Sequence, residues 1–234
     1  MPLLTLPISS SRRATPRNLA VRLDLGGRPF DFSAGQYVLL GQAGGADRCP
    51  YSIASAPSEV AASGALEFLI QVDEHGSPGP HLPSLAPGRC LAVEGPAGSF
   101  TLPAGLPDAD FLFVAGGTGI APIRSMLVEV LRTLPSARVT LVQAARSPEE
   151  LSYGDEFRSL AREGRIGLVE SVTREAPPGW QGVRGRIAAA HLAPLVGGAR
   201  TVAFVCGPDS LVEEVPRVLG ALGVSNTKTE RWAG

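Results

Sequence analysis

Residues 110–125 read DFLFVAGGTGIAPIRS, and few stretches leave a chain less choice of fold. Phe111, Leu112, Phe113, Val114 and Ala115 form an apolar run with the length of a buried strand. Gly116, Gly117 and Gly119 supply a turn. Pro122 and the apolar positions Ile120, Ile123, Met126, Leu127, Val130 and Leu131 predict a helix directly after it. A strand feeding a glycine turn at a helix N-terminus builds an anion site. Missing Cβ atoms let a phosphate approach the backbone, and the helix end offers free N–H groups and a partial positive charge. Thr118 adds a hydroxyl donor. The spacing is not the G-x-G-x-x-G of the common dinucleotide fingerprint, and the turn alone is also consistent with a ligand-free crossover in an α/β domain.

The 234 residues suffice for one large domain or two of ordinary size, and 44% hydrophobic residues support a sizeable core. The net charge of −1 gives no basic field for nucleic acid and no basic helix for an anionic membrane. No apolar run is long enough to span a bilayer. The opening MPLLTLPISSSRR lacks the charged and apolar regions of a secretory signal. Cys49, Cys90 and Cys206 are widely spaced, against both a disulfide framework and a protein-bound iron–sulfur cluster. A reducing cytoplasm is the expected compartment. His75, His81 and His191 match no metal spacing and are expected to be surface or turn residues without a catalytic role.

The character of the chain changes near residue 104. Before it, short strands are expected at residues 19–25, 37–40, 52–54, 66–72 and 90–94, with one short helix near residues 81–85. Strands this short, separated by Gly and Pro turns, predict an antiparallel barrel or sandwich. After it, strands at residues 111–115, 139–143, 166–172 and 201–206 alternate with helices at residues 123–132, 149–162, 188–195 and 210–222, and residues 227–232 form a last extended piece. That alternation predicts a Rossmann-like parallel sheet with helices on both faces. The expected domains are residues 1–103 and 104–234, linked through residues 101–108.

Two further segments belong with the glycine turn. Cys206, Gly207 and Pro208 end a second strand of the parallel sheet, on the rim where open α/β sheets bind ligands. Arg48 to Ser55 (RCPYSIAS) sets an aromatic face, Tyr51, beside a hydroxyl, Ser52. Such a pair can stack on a flat heterocycle and bond to a ring nitrogen. Taken singly, each is also what a buried cysteine or an ordinary strand would show.

Together with FSAGQY at residues 32–37, GPAGSF at residues 95–100 and Glu230-Arg231-Trp232 near the end, these motifs occur in an order that resembles the ferredoxin–NADP reductase superfamily. The resemblance covers nearly the whole chain. It implies a Greek-key, FAD-binding antiparallel β-barrel followed by an NAD(P)-binding α/β domain, with hydride transfer between NAD(P)H and FAD and single electrons passed to a separate acceptor. By the same resemblance Tyr51 stacks on the isoalloxazine and Ser52 sits near its N5, flanked by Pro50 and Ile53. Gly117, Thr118 and Gly119, with Pro122 opening the helix, cradle the nicotinamide nucleotide's pyrophosphate. Cys206, with Gly207 and Pro208, borders the nicotinamide C4, and Trp232 lies near the flavin ring. Ser52, Cys206, Glu230 and Trp232 are the candidate catalytic residues. The chemistry asks for nicotinamide C4 and flavin N5 at near-contact, and two domains each holding one ring can supply that.

The chain departs from the family in two places. Relatives carry arginine two residues before the motif tyrosine, where this chain has Cys49, so Arg48 is the remaining candidate for the flavin phosphate. Gly76, Ser77, Pro78 and Gly79 stand where relatives have Gly-x-x-Ser opening a short helix, and Gly79 replaces that serine. FAD is therefore expected to be held loosely. Two alternatives follow: an NAD(P)H:flavin reductase using free flavin as substrate, or an electron-transfer subunit of a larger complex. The expected partner is an electron carrier (ferredoxin, flavodoxin or cytochrome) or free flavin. For the nicotinamide cofactor, Arg146, Thr173 and Arg174 follow the second and third parallel strands, with Arg184 or Arg186 near. Cations at those places favour NADP(H) over NAD(H), because the 2′-phosphate needs them.

Overall fold

Alternate residues of β1 (Leu3–Thr15) turn inward, so that Leu6 and Ile8 are buried between exposed neighbours. This is the period-2 pattern of a half-buried strand. In the computed structural model of the protein, residues 2–103, 109–174 and 176–232 are described. The chain divides into two units, Met1–Leu102 with Arg124–Glu129, and Pro103–Ile123 with Val130–Gly234. The expected link at residues 101–108 falls largely outside the described residues.

In the first unit β1 is followed by β2 (Asn18–Asp24), β3 (Tyr37–Gln42), β4 (Arg48–Ser52), helix α1 (Pro57–Ser63), β5 (Ala65–Gln71) and β6 (Cys90–Ala97). Among the described residues these strands make one six-stranded antiparallel sheet in the order β4-β3-β6-β1-β2-β5. The first half of β1 pairs with β6 and the second with β2, with a register shift between Ile8 and Ser10. A strand that changes partner in this way bends the sheet. Ile53 bridges Phe68, and the Ala54 N–H donates to the Glu67 carbonyl at 2.8 Å, so the two sheet edges meet and the sheet closes into a barrel. Leu6, Leu40, Ile53, Phe68 and Leu91 fill it.

Arg124 belongs to this unit. It is nearly buried, makes two 2.8 Å bonds to the Glu59 carboxylate and donates to the Ala54 carbonyl at 2.9 Å. Ser125 donates to the Ser55 carbonyl at 2.8 Å. Burial alone would raise the Glu59 carboxyl, but the bonds and charge of Arg124 outweigh it and hold the group below its ordinary value.

The second unit holds β7 (Asp110–Gly116), α2 (Ile120–Thr133), β8 (Val139–Ala145), α3 (Gly154–Arg162), β9 (Gly167–Val172), β10 (Val183–Arg184), α4 (Ala189–Leu192), β11 (Thr201–Gly207), α5 (Asp209–Ala221) and β12 (Asn226–Arg231), α2 lying partly in the first unit as noted. Its strands form a parallel sheet in the order β10-β9-β8-β7-β11-β12. The chain steps outward from β7 to β8 and β9, then crosses back to β11 and β12. The strand order therefore reverses between β7 and β11, and a ligand crevice belongs beyond their carboxyl ends. Phe111, Phe113 and Phe204 are fully buried and stack beside one another.

Several elements differ from expectation. The strand expected at residues 52–54 lies earlier, at Arg48–Ser52. The helix expected near residues 81–85 is absent; a turn stands there, with the Leu82 N–H bonded to the Gly79 carbonyl. Pro78, Gly79, Pro80 and Pro83 remove donors and order from any helix in that stretch. The helix expected over residues 149–162 breaks into a 3₁₀ turn, Pro148–Glu150, and α3, because Tyr153 between them takes a left-handed φ of 61°. Strand β1 and helix α1 escaped the sequence reading. In β1 the polar run after Ile8 hides the period. In α1 the signals were present: Pro57 at the first turn, Glu59 accepting from the Ala56 N–H at 2.8 Å, and Gly64 as left-handed cap.

Arg124→Ala leaves the Glu59 carboxylate and the Ala54 carbonyl without their partner. We expect a loss of about 3 kcal/mol in urea unfolding; an unchanged midpoint would contradict the structural weight given to this contact.

Candidate functional site

The first unit contributes the end of β4. Strand alternation puts Cys49 and Tyr51 on one side and Arg48, Pro50 and Ser52 on the other. The Ser52 hydroxyl is buried and makes no hydrogen bond. An orphaned buried hydroxyl is uncommon and fits a ligand acceptor or donor. Tyr51 is half-buried against the barrel core, and burial, helped by the Cys49 thiol, pushes its phenol up to about 12. Its hydroxyl shares a 2.9 Å hydrogen bond with His81 Nε2. Ile53 is fully buried in the barrel and is a core residue.

Arg48 is engaged elsewhere. Its guanidinium lies 3.4 Å from the Glu94 carboxylate on β6 and donates to the Gly45 carbonyl at 3.3 Å. Gly76, Ser77, Pro78 and Gly79 form a loop folded over Asp73, whose carboxylate accepts the His75 and Ser77 N–H groups at 2.9 and 2.8 Å. No helix follows this loop among the described residues, so the loop holds no helix N-terminus for a phosphate.

In the second unit the two glycine segments come together. Residues Gly117–Gly119 make a 3₁₀ turn between β7 and α2, and Gly117 takes φ +56°. A Cβ on Gly119 would stand 2.4 Å from the Cys206 carbonyl oxygen, and one on Gly207 would stand 2.8 Å from Leu211 and 3.1 Å from the Gly116 nitrogen. Only glycine permits the turn after β7 to lie against the end of β11. Thr118 is half-exposed on this turn, and Pro122 is buried in the first turn of α2.

Beside these turns lies a cleft of about 430 Å³ lined by Gly116, Arg146, Thr173, Arg174, Arg186 and Pro208, with Ser210, Leu211 and Glu214 from α5. The structure thus gathers the four residues expected to read the nucleotide. Among the described residues, none of these three guanidiniums is in an ion pair. Arg184 is not among them: it donates to the carbonyls of Ala176 and Pro177. The sequence reading missed the α5 residues, because helical residues that follow a strand turn carry no signal of which cleft they face.

Cys206 pairs in register with Glu230 on β12, and the Trp232 N–H donates to the Gly207 carbonyl at 3.2 Å. Burial raises the Cys206 thiol, the Glu230 carboxylate raises it further, and the Trp232 indole acts in the other direction. Burial also pushes Glu230 up to about 7. Glu230 Oε2 and Trp232 Nε1 are buried without hydrogen-bond partners. Three of the four candidate catalytic residues therefore form one cluster, with the Trp232 indole beside the Cys206 thiol and the Glu230 Oε2 unbonded.

Among the described residues no group of three or more His, Cys, Asp and Glu is arranged to hold a metal ion, and no helix is long and apolar enough to cross a membrane.

The profile of the oxidoreductase FAD-binding domain matches residues 9–102, and that of the oxidoreductase NAD-binding domain matches residues 113–217. The chain is 38% identical over 209 residues to a ferredoxin–NADP reductase B of Sorangium cellulosum, covering 85% of this chain and 83% of that protein. It is 31% identical over 205 residues to the reductase component DmpP of a phenol 2-monooxygenase from a Pseudomonas species, covering 85% of this chain but only 56% of that protein. The fold superposes on the Amycolatopsis cytochrome P450 reductase GcoB with a TM-score of 0.84 at 26% identity, covering 98% of this chain and 70% of that one. It superposes on a Neisseria gonorrhoeae ferredoxin NADP+ reductase with a TM-score of 0.77 at 22% identity, covering 98% of both chains.

Two substitutions test this geometry. Gly119→Ala forces its methyl group into the Cys206 carbonyl, and we expect a loss of about 2 kcal/mol in thermal unfolding; wild-type stability would mean the two turns can separate freely. Glu230 has a folded value near 7 against an ordinary 4.5. Between those values the folded protein keeps a proton that the unfolded chain gives up, so its stability contribution falls as pH rises and then levels. Glu230→Gln is expected to flatten that slope, and an unaltered stability–pH profile would show that the carboxyl is not buried.

Proposed function

We propose, from the premise that this chain belongs to the ferredoxin–NADP reductase superfamily and is an NAD(P)H-dependent flavoprotein reductase, that it prefers NADPH and passes electrons singly to a separate carrier such as a ferredoxin. In this reading residues 1–103 form the FAD-binding domain and residues 104–234 the nicotinamide-nucleotide domain.

The observation that carries the NADPH reading is the cleft in which Arg146, Arg174 and Arg186 converge around Thr173, against one carboxylate, Glu214. A 2′-phosphate adds two negative charges that such a site favours, whereas a free ribose diol offers three arginines only neutral acceptors. The residues of the two units fit the two nucleotides. The unbonded Ser52 hydroxyl offers a partner to a flavin ring, and the open side of Gly117, where a Cβ would meet nothing within 4 Å, leaves room for a pyrophosphate.

FAD, when bound, accepts a hydride from reduced nicotinamide and can release its electrons one at a time. The protein's own part is positional. Tyr51 supplies a flat face and Ser52 a hydroxyl. Thr118 and the turn's N–H groups hold phosphate. Cys206, buried and kept as the thiol, is a small neutral wall. Glu230, poised near neutrality, can keep or give up a proton at its carboxyl oxygen. The Trp232 indole N–H offers a donor beside it.

A second reading is favoured by one observation: Arg48 is held by Glu94, and the loop at Gly76–Gly79 leads into no helix. With these phosphate partners absent, FAD exchanges readily and the enzyme reduces free flavin. Gel filtration of the FAD-loaded protein separates the two, since retained flavin supports a prosthetic group and lost flavin supports a substrate.

Arg174→Ala is expected to lower kcat/KM for NADPH about tenfold, the scale of one charge-assisted hydrogen bond, while leaving kcat/KM for NADH within about twofold. A preserved NADPH/NADH ratio in both Arg174→Ala and Arg186→Ala would overturn the NADPH assignment.

A further inference from the structure

The hydrogen bond between Tyr51 and His81 joins residues thirty positions apart and is not explained by packing alone. The two rings lie 5.7 Å apart between centroids, tilted by 32°, so they touch through the polar tip of the phenol rather than by stacking. His81 itself is firmly seated. Its carbonyl accepts the Gln42 N–H of β3 at 3.0 Å, and the next residue, Leu82, is buried in the barrel core and bonded to the Gly79 carbonyl. A side chain at residue 79 would crowd the imidazole and shift it from this position. A Cβ there would stand 2.9 Å from His81 Cε1 and 3.1 Å from Nδ1.

We propose that His81 is a positioning residue for Tyr51, fixing the phenol ring as the flavin platform, and that Gly79 is the clearance that lets the imidazole reach it. This rests on the reading of Tyr51 as the flavin-stacking residue. The physical need is plain. A tyrosine at the end of an outer strand can turn about two side-chain bonds, and a stacking face that must be ordered on binding loses affinity. A hydrogen bond at the far tip of the ring removes that freedom in advance. The glycine at position 79 and the histidine at position 81 thus form one device, with the turn that replaces the expected helix serving to deliver the ring.

The test uses the full chain and FAD, read by flavin fluorescence for affinity and by visible circular dichroism for the environment of the bound ring. His81→Phe keeps an aromatic ring and removes the hydrogen bond. It is expected to weaken FAD binding about fivefold, the scale of one hydrogen bond, and to change the dichroism of the bound flavin. His81→Gln, whose amide reaches to the place of Nε2, is expected to recover affinity to within about twofold. In a Tyr51→Phe background, His81→Phe should add nothing further. Gly79→Ala should reproduce the His81→Phe spectrum, and it carries the test if His81→Phe does not fold. Wild-type affinity and dichroism in His81→Phe would overturn the proposal, as would an equal loss with and without the Tyr51 hydroxyl. Tyr51→Ala with unaltered FAD affinity and dichroism would instead remove the premise that Tyr51 meets the flavin, and the proposal with it.

Discussion

The close approach of the turn after β7 to the end of β11 governs the chemistry available to the second unit. The Cys206 carbonyl oxygen lies 2.4 Å from where a Cβ of residue 119 would be. Glycines at 116, 119 and 207 are what allow two strand ends to lie this near each other. That proximity sits at the reversal of strand order, where an open parallel sheet leaves its crevice. It sets Cys206 beside Glu230 and Trp232 on one side and opens the arginine-lined cleft on the other. A bulkier residue at any of the three positions would push the strand ends apart.

The barrel of the first unit solves a different problem. The aromatic face of Tyr51 lies near the end of β4, an edge strand that has to be closed. Bridging Ile53 to Phe68 closes the edge immediately after Ser52, and Arg124 clamps the next residues through the Ala54 carbonyl and Glu59. The aromatic face is then steadied from outside by His81. Arg48, one position out of phase, falls on the opposite side of β4 and joins Glu94. One residue of offset along a strand is enough to turn a candidate phosphate ligand into a barrel ion pair.

The centre of the parallel half was legible because β7 and β11 are apolar runs that end in glycine, at residues 111–116 and 201–207. Arg146, Thr173 and Arg174 were placed on one rim because they follow the second and third strands, and of the two further candidates, Arg184 and Arg186, it is Arg186 that lines the cleft with them. The antiparallel half was less legible. β1 buries Leu6 and Ile8 but then runs through Ser9, Ser10, Ser11, Arg12 and Arg13, none of them buried, which read as a loop. His81 could not have been found by spacing, since it meets Tyr51 only after the chain has passed through β5 and a proline-rich turn. The expected helix there failed because helix-like apolar spacing at Leu82 and Leu85 is outweighed by the surrounding prolines.

The central claim is that one unit binds flavin, the other binds NADPH, and a hydride passes from the second nucleotide to the first. Anaerobic addition of NADPH to the protein mixed with excess FAD, followed by visible absorbance, tests it most directly. The account predicts bleaching of the oxidised flavin band at a rate that saturates with NADPH and is much faster than with NADH. A flavin band that stays oxidised at saturating NADPH and NADH, in folded protein, would contradict it.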